Sequence, residues 1–99
     1  MQSENTIRQL VRQVNAYARD DQLSGRLYVD LVDMLEACRW FVSSMDQLGE
    51  ELTRDELESL LIKIDVNVVQ HLGFHMRSLK RDMPRVLDAV GRPDDKAAE

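Results

Sequence analysis

Apolar residues recur three or four positions apart along almost the whole chain, which is the spacing of an amphipathic α-helix. Four Gly and two Pro in 99 residues leave little room for long loops. Aromatic residues make up only 5% of the chain, so a core has to come mainly from Leu, Val, Ile and Met. The sequence therefore predicts an all-α fold, a helical bundle formed by one domain.

The spacing predicts three main helices and a short fourth one. The first spans 4–19 with Ser3 as its cap, and the segment DDQLSG ends it. The second spans 25–48 and ends at Gly49, a natural position for a left-handed C-cap.

The third helix has the clearest start signal. Thr53 and Glu56 match the capping box, in which each side chain satisfies a free backbone N–H. The apolar stripe continues through Gly73, because one interior glycine costs only about 1 kcal/mol. Pro84 is expected to end this helix, since the residue before a proline avoids helical geometry, and to start a short last helix over 84–90.

The helix lengths predict self-association. Long helices joined by a short connection pack as an antiparallel hairpin, and the shorter first helix cannot cover both along their length. Small domains often gain stability by pairing, so we expect a homodimer. The expected organisation is a single helical domain over 1–92 and a polar, disordered tail over 93–99.

Four apolar residues of the third helix, Ile62, Val66, Val69 and Met76, lie beside its main stripe and widen the apolar arc. Either the first two helices each cover one face, or an oligomer interface covers the second. Val29 and Trp40 project away from the stripe of the second helix, and surface tryptophans are common binding anchors. The alternative is that the first helix or the tail covers them.

Charge is divided along the third helix. Residues 46–70 carry seven acids and two bases, whereas 71–92 carry five bases and two acids. In an antiparallel pair of chains, the basic part of one would meet the acidic part of the other. Arg77, Arg81 and Arg85 form a basic edge that is a candidate partner surface.

The basic segment 77–92 also supports an alternative function, a nucleic-acid-binding regulator. Against it stand the absence of interleaved aromatic residues and the net charge of −5. Protein–protein interaction is therefore the preferred interpretation.

His71 and His75 lie one helical turn apart and could supply two ligands to a metal. No acidic residue lies three or four positions from either one, so further ligands would have to come from another helix or chain. The preferred interpretation is a pair of core or interface histidines bonded to backbone or carboxylate, with no metal. If they are buried against a second copy, association should weaken near pH 5–6 as the rings become charged.

Signals for enzyme chemistry and for membrane insertion are missing. The sequence has no Gly-rich phosphate loop, no His-Glu-x-x-His and no nucleophile elbow. Cys38 lies on an apolar stripe, which predicts a packed, inert thiol. No run of 18 apolar residues occurs, and the polar start MQSENTIRQLVRQ lacks the apolar middle of a signal peptide.

With a single cysteine, these features indicate the cytoplasm. The expected function is a small, non-enzymatic regulatory or adaptor protein without a cofactor. We expect it to act as a homodimer and to bind another protein.

Overall fold

A computed structural model describes residues 2–49 and 51–98, with side chains described for 3–49 and 51–91. These residues are helical apart from short connections, and no strand occurs among them. The all-α prediction is confirmed. The described residues form three helices: α1 (Gln2–Ala18), α2 (Asp21–Asp46), and a long third helix composed of α3 (Arg54–Ile64), a π-helical turn (Asp65–Gln70) and α4 (His71–Ala98).

The break between α1 and α2 is shorter than the sequence predicted. Arg19 adopts a left-handed φ of 49°, and the side chain of Asp20 then accepts a hydrogen bond from the Leu23 N–H at 3.0 Å. Because this cap starts α2 immediately, most of the segment DDQLSG lies inside a helix and does not separate two helices. Ser3 is not a cap, since α1 already begins at Gln2.

The end of α2 also differs from the prediction. Gln47 follows the last helical residue with a right-handed φ of −93°, and its N–H donates to the Ser43 carbonyl at 3.1 Å. Gly49 has no positive φ, so the predicted left-handed glycine cap is wrong. The helix ends with the hydrogen bond from the Gln47 N–H, and a glycine in a left-handed conformation is not needed.

The predicted capping box at the start of α3 is confirmed. The Thr53 hydroxyl accepts from the Glu56 N–H at 3.1 Å, and Glu56 Oε1 accepts from the Thr53 N–H at 2.9 Å. The hydrogen bond from the Thr53 backbone stabilises the carboxylate and lowers the pKa of Glu56.

The helix α4 continues through Pro84, so the predicted boundary and the separate short helix over 84–90 are wrong. Val86 is buried in the core, and Met83 packs against the same cluster. This tertiary packing outweighs the roughly 3 kcal/mol that a proline costs inside a helix. The tail predicted for 93–99 lies outside the residues whose side chains are described.

The buried apolar core lies at one end of the molecule, which we call the packed end. Val11 of α1, Leu23 and Leu27 of α2, and Val86 of α4 form it. At the other end, α3 and the π turn (54–70), which we call the arm, contribute no buried residue. The chain is elongated, with a radius of gyration of 17.9 Å, against about 13 Å for a compact domain of this length.

Candidate functional site

A row of charged pairs links α2 to α4 beside the apolar core. Arg26 Nε donates to Asp82 at 2.8 Å, whereas Asp30 and Asp33 both approach His75, at 2.7 and 3.0 Å. Positions rise along α2 as they fall along α4, so the two helices run in opposite directions at this contact. The row gives the packed end a polar layer between its two longest elements.

His75 lies at the centre of this row and is only 4% exposed. Its Nδ1 is 2.7 Å from Asp30 Oδ1, and its Nε2 is 3.0 Å from Asp33 Oδ2. A neutral imidazole carries one N–H and can donate to only one of two carboxylates. The contact between Nε2 and Asp33 Oδ2 therefore needs either a second hydrogen atom between the two groups or a bound cation.

His71 brings a second imidazole to the same carboxylate. Its Nε2 lies 3.7 Å from Asp33 Oδ2, and the centroids of its ring and the His75 ring are 4.8 Å apart. One ligand-type atom from each of Asp33, His71 and His75 lies within 4.8 Å of the other two. Among the described side chains, this group has the donor atoms and the spacing to hold a metal ion.

The π turn before His71 helps to explain why this face of α4 meets α2. On a straight helix, Leu57 and His75 are about five full turns apart and lie in line. Leu57 is nevertheless 46% exposed, while His75 is buried. A π turn inserts one residue and rotates the downstream face by about 100°, so Leu57 and His75 do not lie in line in this chain.

Asp82 is the most deeply buried charged residue of the row. Both of its carboxylate oxygens accept from Arg26, at 2.8 and 3.2 Å, and Arg81 adds a contact at 3.3 Å. The hydrogen bonds from Arg26 lower the pKa of Asp82 to about 2, while burial acts in the opposite direction. Asp82 stays ionised at neutral pH and fixes α4 against α2.

A groove of about 670 Å³ runs between α2 and α4 on the side of Arg26. Val29, Arg77 and Arg81, which the sequence assigned to separate partner surfaces, all line it. Phe74 is exposed and also lines the groove. An apolar segment with acidic side chains would match these walls.

Two other predicted partner residues lie away from this groove. Trp40 is half-buried on α2. Arg85 donates to Asp20 at 3.0 Å, just as Arg81 pairs with Asp82. These pairs reduce the positive charge that the segment 77–92 can offer to phosphates, so they do not favour the nucleic-acid alternative.

The arm exposes the apolar residues that the sequence placed beside the main stripe. Ile62, Val66 and Val69 are 58%, 51% and 60% exposed. The described residues of the chain therefore leave this second face uncovered. Leu57 and Leu61 are exposed as well, and with Ile62 they line a shallow groove of about 360 Å³.

One expectation about reactive groups needs correction. Cys38 is exposed, so it is not a packed thiol. His75 is covered by α2 of its own chain, whereas His71 is 43% exposed, and the expected weakening of association near pH 5–6 stays a prediction.

Sequence reasoning missed Asp30 and Asp33, the acids that complete the histidine cluster. A signal was present for Asp30, which lies three positions after Leu27 and beside the apolar stripe of α2, whereas Asp33 lies off that stripe. A carboxylate in such a position needs a buried partner, and the histidines of α4 are the partners available. Sequence reasoning missed Asp82 as well. It lies seven positions, or about two helical turns, after His75 and so on the same face of α4.

Comparison of the chain with protein-family models, with curated proteins and with solved structures gives no match. Within the described residues, no helix combines the length and the apolar character needed to span a bilayer. The candidate sites therefore rest on the geometry of this chain alone.

Proposed function

We propose that this chain is a small, non-enzymatic, cytoplasmic adaptor or regulatory protein that forms a homodimer through its arm. The supporting observation is the uncovered apolar surface of the arm, where Ile62, Val66 and Val69 are each more than half exposed. Contiguous apolar patches of this kind on soluble proteins commonly mark interaction sites.

The surface area of the chain supports pairing. Its accessible surface is 7526 Å², against about 5,800 Å² for a compact monomer of 11.5 kDa. A standard interface buries about 800 Å² on each partner. Pairing through the arms would therefore remove about half of the excess surface of each chain.

Charge suggests how two copies are arranged. The arm carries four acids and two bases, whereas residues 71–92 carry five bases and two acids. In a dimer of long antiparallel hairpins, the arm of one chain would lie along α4 of the other, and opposite charges would meet. Such complementarity sets register and association rate more than affinity.

Sedimentation equilibrium tests the dimer. The wild-type chain is expected at twice the chain mass of 11.5 kDa, and Ile62→Glu and Val69→Glu are expected to shift it to the single-chain mass. Leu10→Glu is the matched control, because Leu10 is an exposed apolar residue of α1 outside the arm. A wild type that stays at the single-chain mass at high concentration would refute the proposed pairing.

The groove between α2 and α4 is the second surface of the proposed adaptor. Its apolar walls, Val29 and Phe74, stand beside Arg26, Arg77 and Arg81. This combination suits an acidic, partly apolar segment of another protein, with the aromatic and arginine side chains as anchors.

Affinity capture from native lysate tests the second surface. A partner is expected to bind the wild type and to be lost with Val29→Glu and with Arg77→Glu, while Leu10→Glu retains it. A Trp40→Ala bait shows whether the binding surface extends along α2. A partner retained by both groove variants would exclude the groove as its binding site.

A further inference from the structure

The atoms that converge at Asp33, His71 and His75 form a donor set of two imidazole nitrogens and one carboxylate oxygen. We propose that these three residues bind a divalent transition-metal ion, with Asp30 as the residue that orients His75. Imidazole ligands suit Zn²⁺, Fe²⁺ and related ions, whereas Mg²⁺ and Ca²⁺ prefer all-oxygen sites. The ion would join α2 to α4, independently of the arm.

Two of the three distances between the ligand atoms are close to those of a zinc site. In tetrahedral Zn²⁺ sites the ligand atoms lie about 2.0–2.1 Å from the metal, which places them about 3.3 Å from one another. Asp33 Oδ2 lies 3.0 Å from His75 Nε2 and 3.7 Å from His71 Nε2. The three ligand atoms lie within 4.8 Å of one another, so the part-exposed side chains of Asp33 and His71 would have to close in for one ion to contact all three.

Asp30 supplies the outer contact that metal-binding histidines require. When His75 Nδ1–H donates to Asp30 Oδ1 at 2.7 Å, the lone pair of Nε2 points toward Asp33. A carboxylate in this outer position fixes the tautomer and raises the basicity of the ligand nitrogen. Both Asp30 and His75 are almost fully buried, so the orientation of the ring is set before an ion arrives.

One of the three proposed ligands is buried and the other two are partly exposed. His75 is enclosed, whereas the side chains of Asp33 and His71 are 33% and 43% exposed, so an ion can enter from their side. Three protein ligands leave the remaining coordination position to water or to an outside group.

Zinc binding to the full chain is the direct test. Competition with a chromophoric chelator and isothermal titration should give one Zn²⁺ per chain in the wild type. His71→Ala and Asp33→Asn should weaken binding by more than about 100-fold, since loss of an outer partner alone costs about 10–100-fold. Asp46→Asn, an exposed acid at the end of α2, is the matched control and should change affinity by less than about threefold.

Two further measurements make the result independent of folding defects and of dimer formation. In the wild type, one equivalent of Zn²⁺ should shift the NMR signals of both imidazole rings together. Ile62→Glu, which tests the arm, should bind Zn²⁺ like the wild type. Unmoved imidazole signals, or equal affinity in the wild type and His71→Ala, would overturn the metal site.

Discussion

The packed end and the arm are both made of amphipathic helices, yet apolar residues are buried in the first and exposed in the second. At the packed end, α1 covers α2 and α4, and Leu23, Leu27 and Val86 are buried. In the arm, where no described element forms a comparable cover, none of the residues of α3 or the π turn is buried. Helical spacing determines which face is apolar, and the presence of a neighbour determines whether that face is buried.

The two regions also differ in where their charges lie. The packed end holds buried acidic residues, Asp30 and Asp82, and each contacts a side chain on another helix. The charges of the arm are exposed and serve its own helix, as at the Thr53–Glu56 capping box. Buried charges fix how helices pack together, whereas the exposed ones stabilise a single helix.

Two leucine substitutions, one in each region, should give the largest difference in the free energy of unfolding. Leu27→Ala removes a side chain that is almost fully buried and should lower the free energy of unfolding by about 2–5 kcal/mol. Leu61→Ala removes an exposed side chain and should change it by less than about 0.5 kcal/mol. Chemical denaturation at a protein concentration below the dimerisation range measures both, and equal losses would remove the distinction between the two ends.

Acid should affect the packed end through Asp82. Its pKa is about 2 in the folded chain, below the ordinary 3.8, because the Arg26 guanidinium stabilises the carboxylate. A depressed folded pKa contributes stability that is present above about pH 4 and is lost as the pH falls toward 2. The expected loss is smaller than that of Leu27→Ala, since Arg26 remains partly open to water.

Thermal unfolding from pH 5 to pH 2 measures this dependence. Asp82→Asn should be less stable than the wild type at pH 5 and should lose less stability on acidification. Asp55→Asn, an exposed acid of the arm, is the control and should retain the acid response of the wild type. An Asp82→Asn variant with the full acid response would mean that other carboxylates cause it.

The arm has its own test in Thr53. Thr53→Ala removes the side-chain half of the capping box and should cost about 1 kcal/mol of local helix stability. The Glu56 amide would then exchange about fivefold faster, because opening of the first turn becomes easier. Ser59→Ala in the middle of α3 is the control, and unchanged exchange in Thr53→Ala would contradict the role of the cap.

Much of the fold was predictable because local signals decide helix formation. Thr53 and Glu56 fixed the start of α3, and the apolar spacing predicted helices on both sides of it. Passage of α4 through Pro84 was not predictable, since it depends on contacts of Val86 with helices far away in the sequence. The π turn has no signature in its residues, and it changes how the arm and α4 align compared with one straight helix over 54–83.

The candidate site was half predictable. The spacing of His71 and His75 indicated two ligands on one face, but their partners lie more than 35 positions earlier in the chain. Asp30 and Asp33 gain meaning only when α2 and α4 are known to pack together in opposite directions. Helical spacing shows which residues share a face of one helix, but it does not show which helices pack against each other.

The smallest expected effect lies at Gly73, near the junction of the arm and the packed end. Gly73 has no positive φ, and an added Cβ would meet only Arg77 Nη1, at an ordinary distance of 3.6 Å. Gly73→Ala should therefore raise the free energy of unfolding by about 0.5–1 kcal/mol, because alanine loses less backbone entropy in a helix.

Thermal unfolding measures this gain, and Gly25→Ala is the matched case in α2, where an added Cβ has no atom within 4 Å. Equal gains at both positions would show that the helix next to the π turn is as rigid as the middle of α2. A loss at Gly73 alone would mean that this junction has to bend, and that the arm moves relative to the packed end. The arm would then be a hinged element whose position depends on what binds its apolar face.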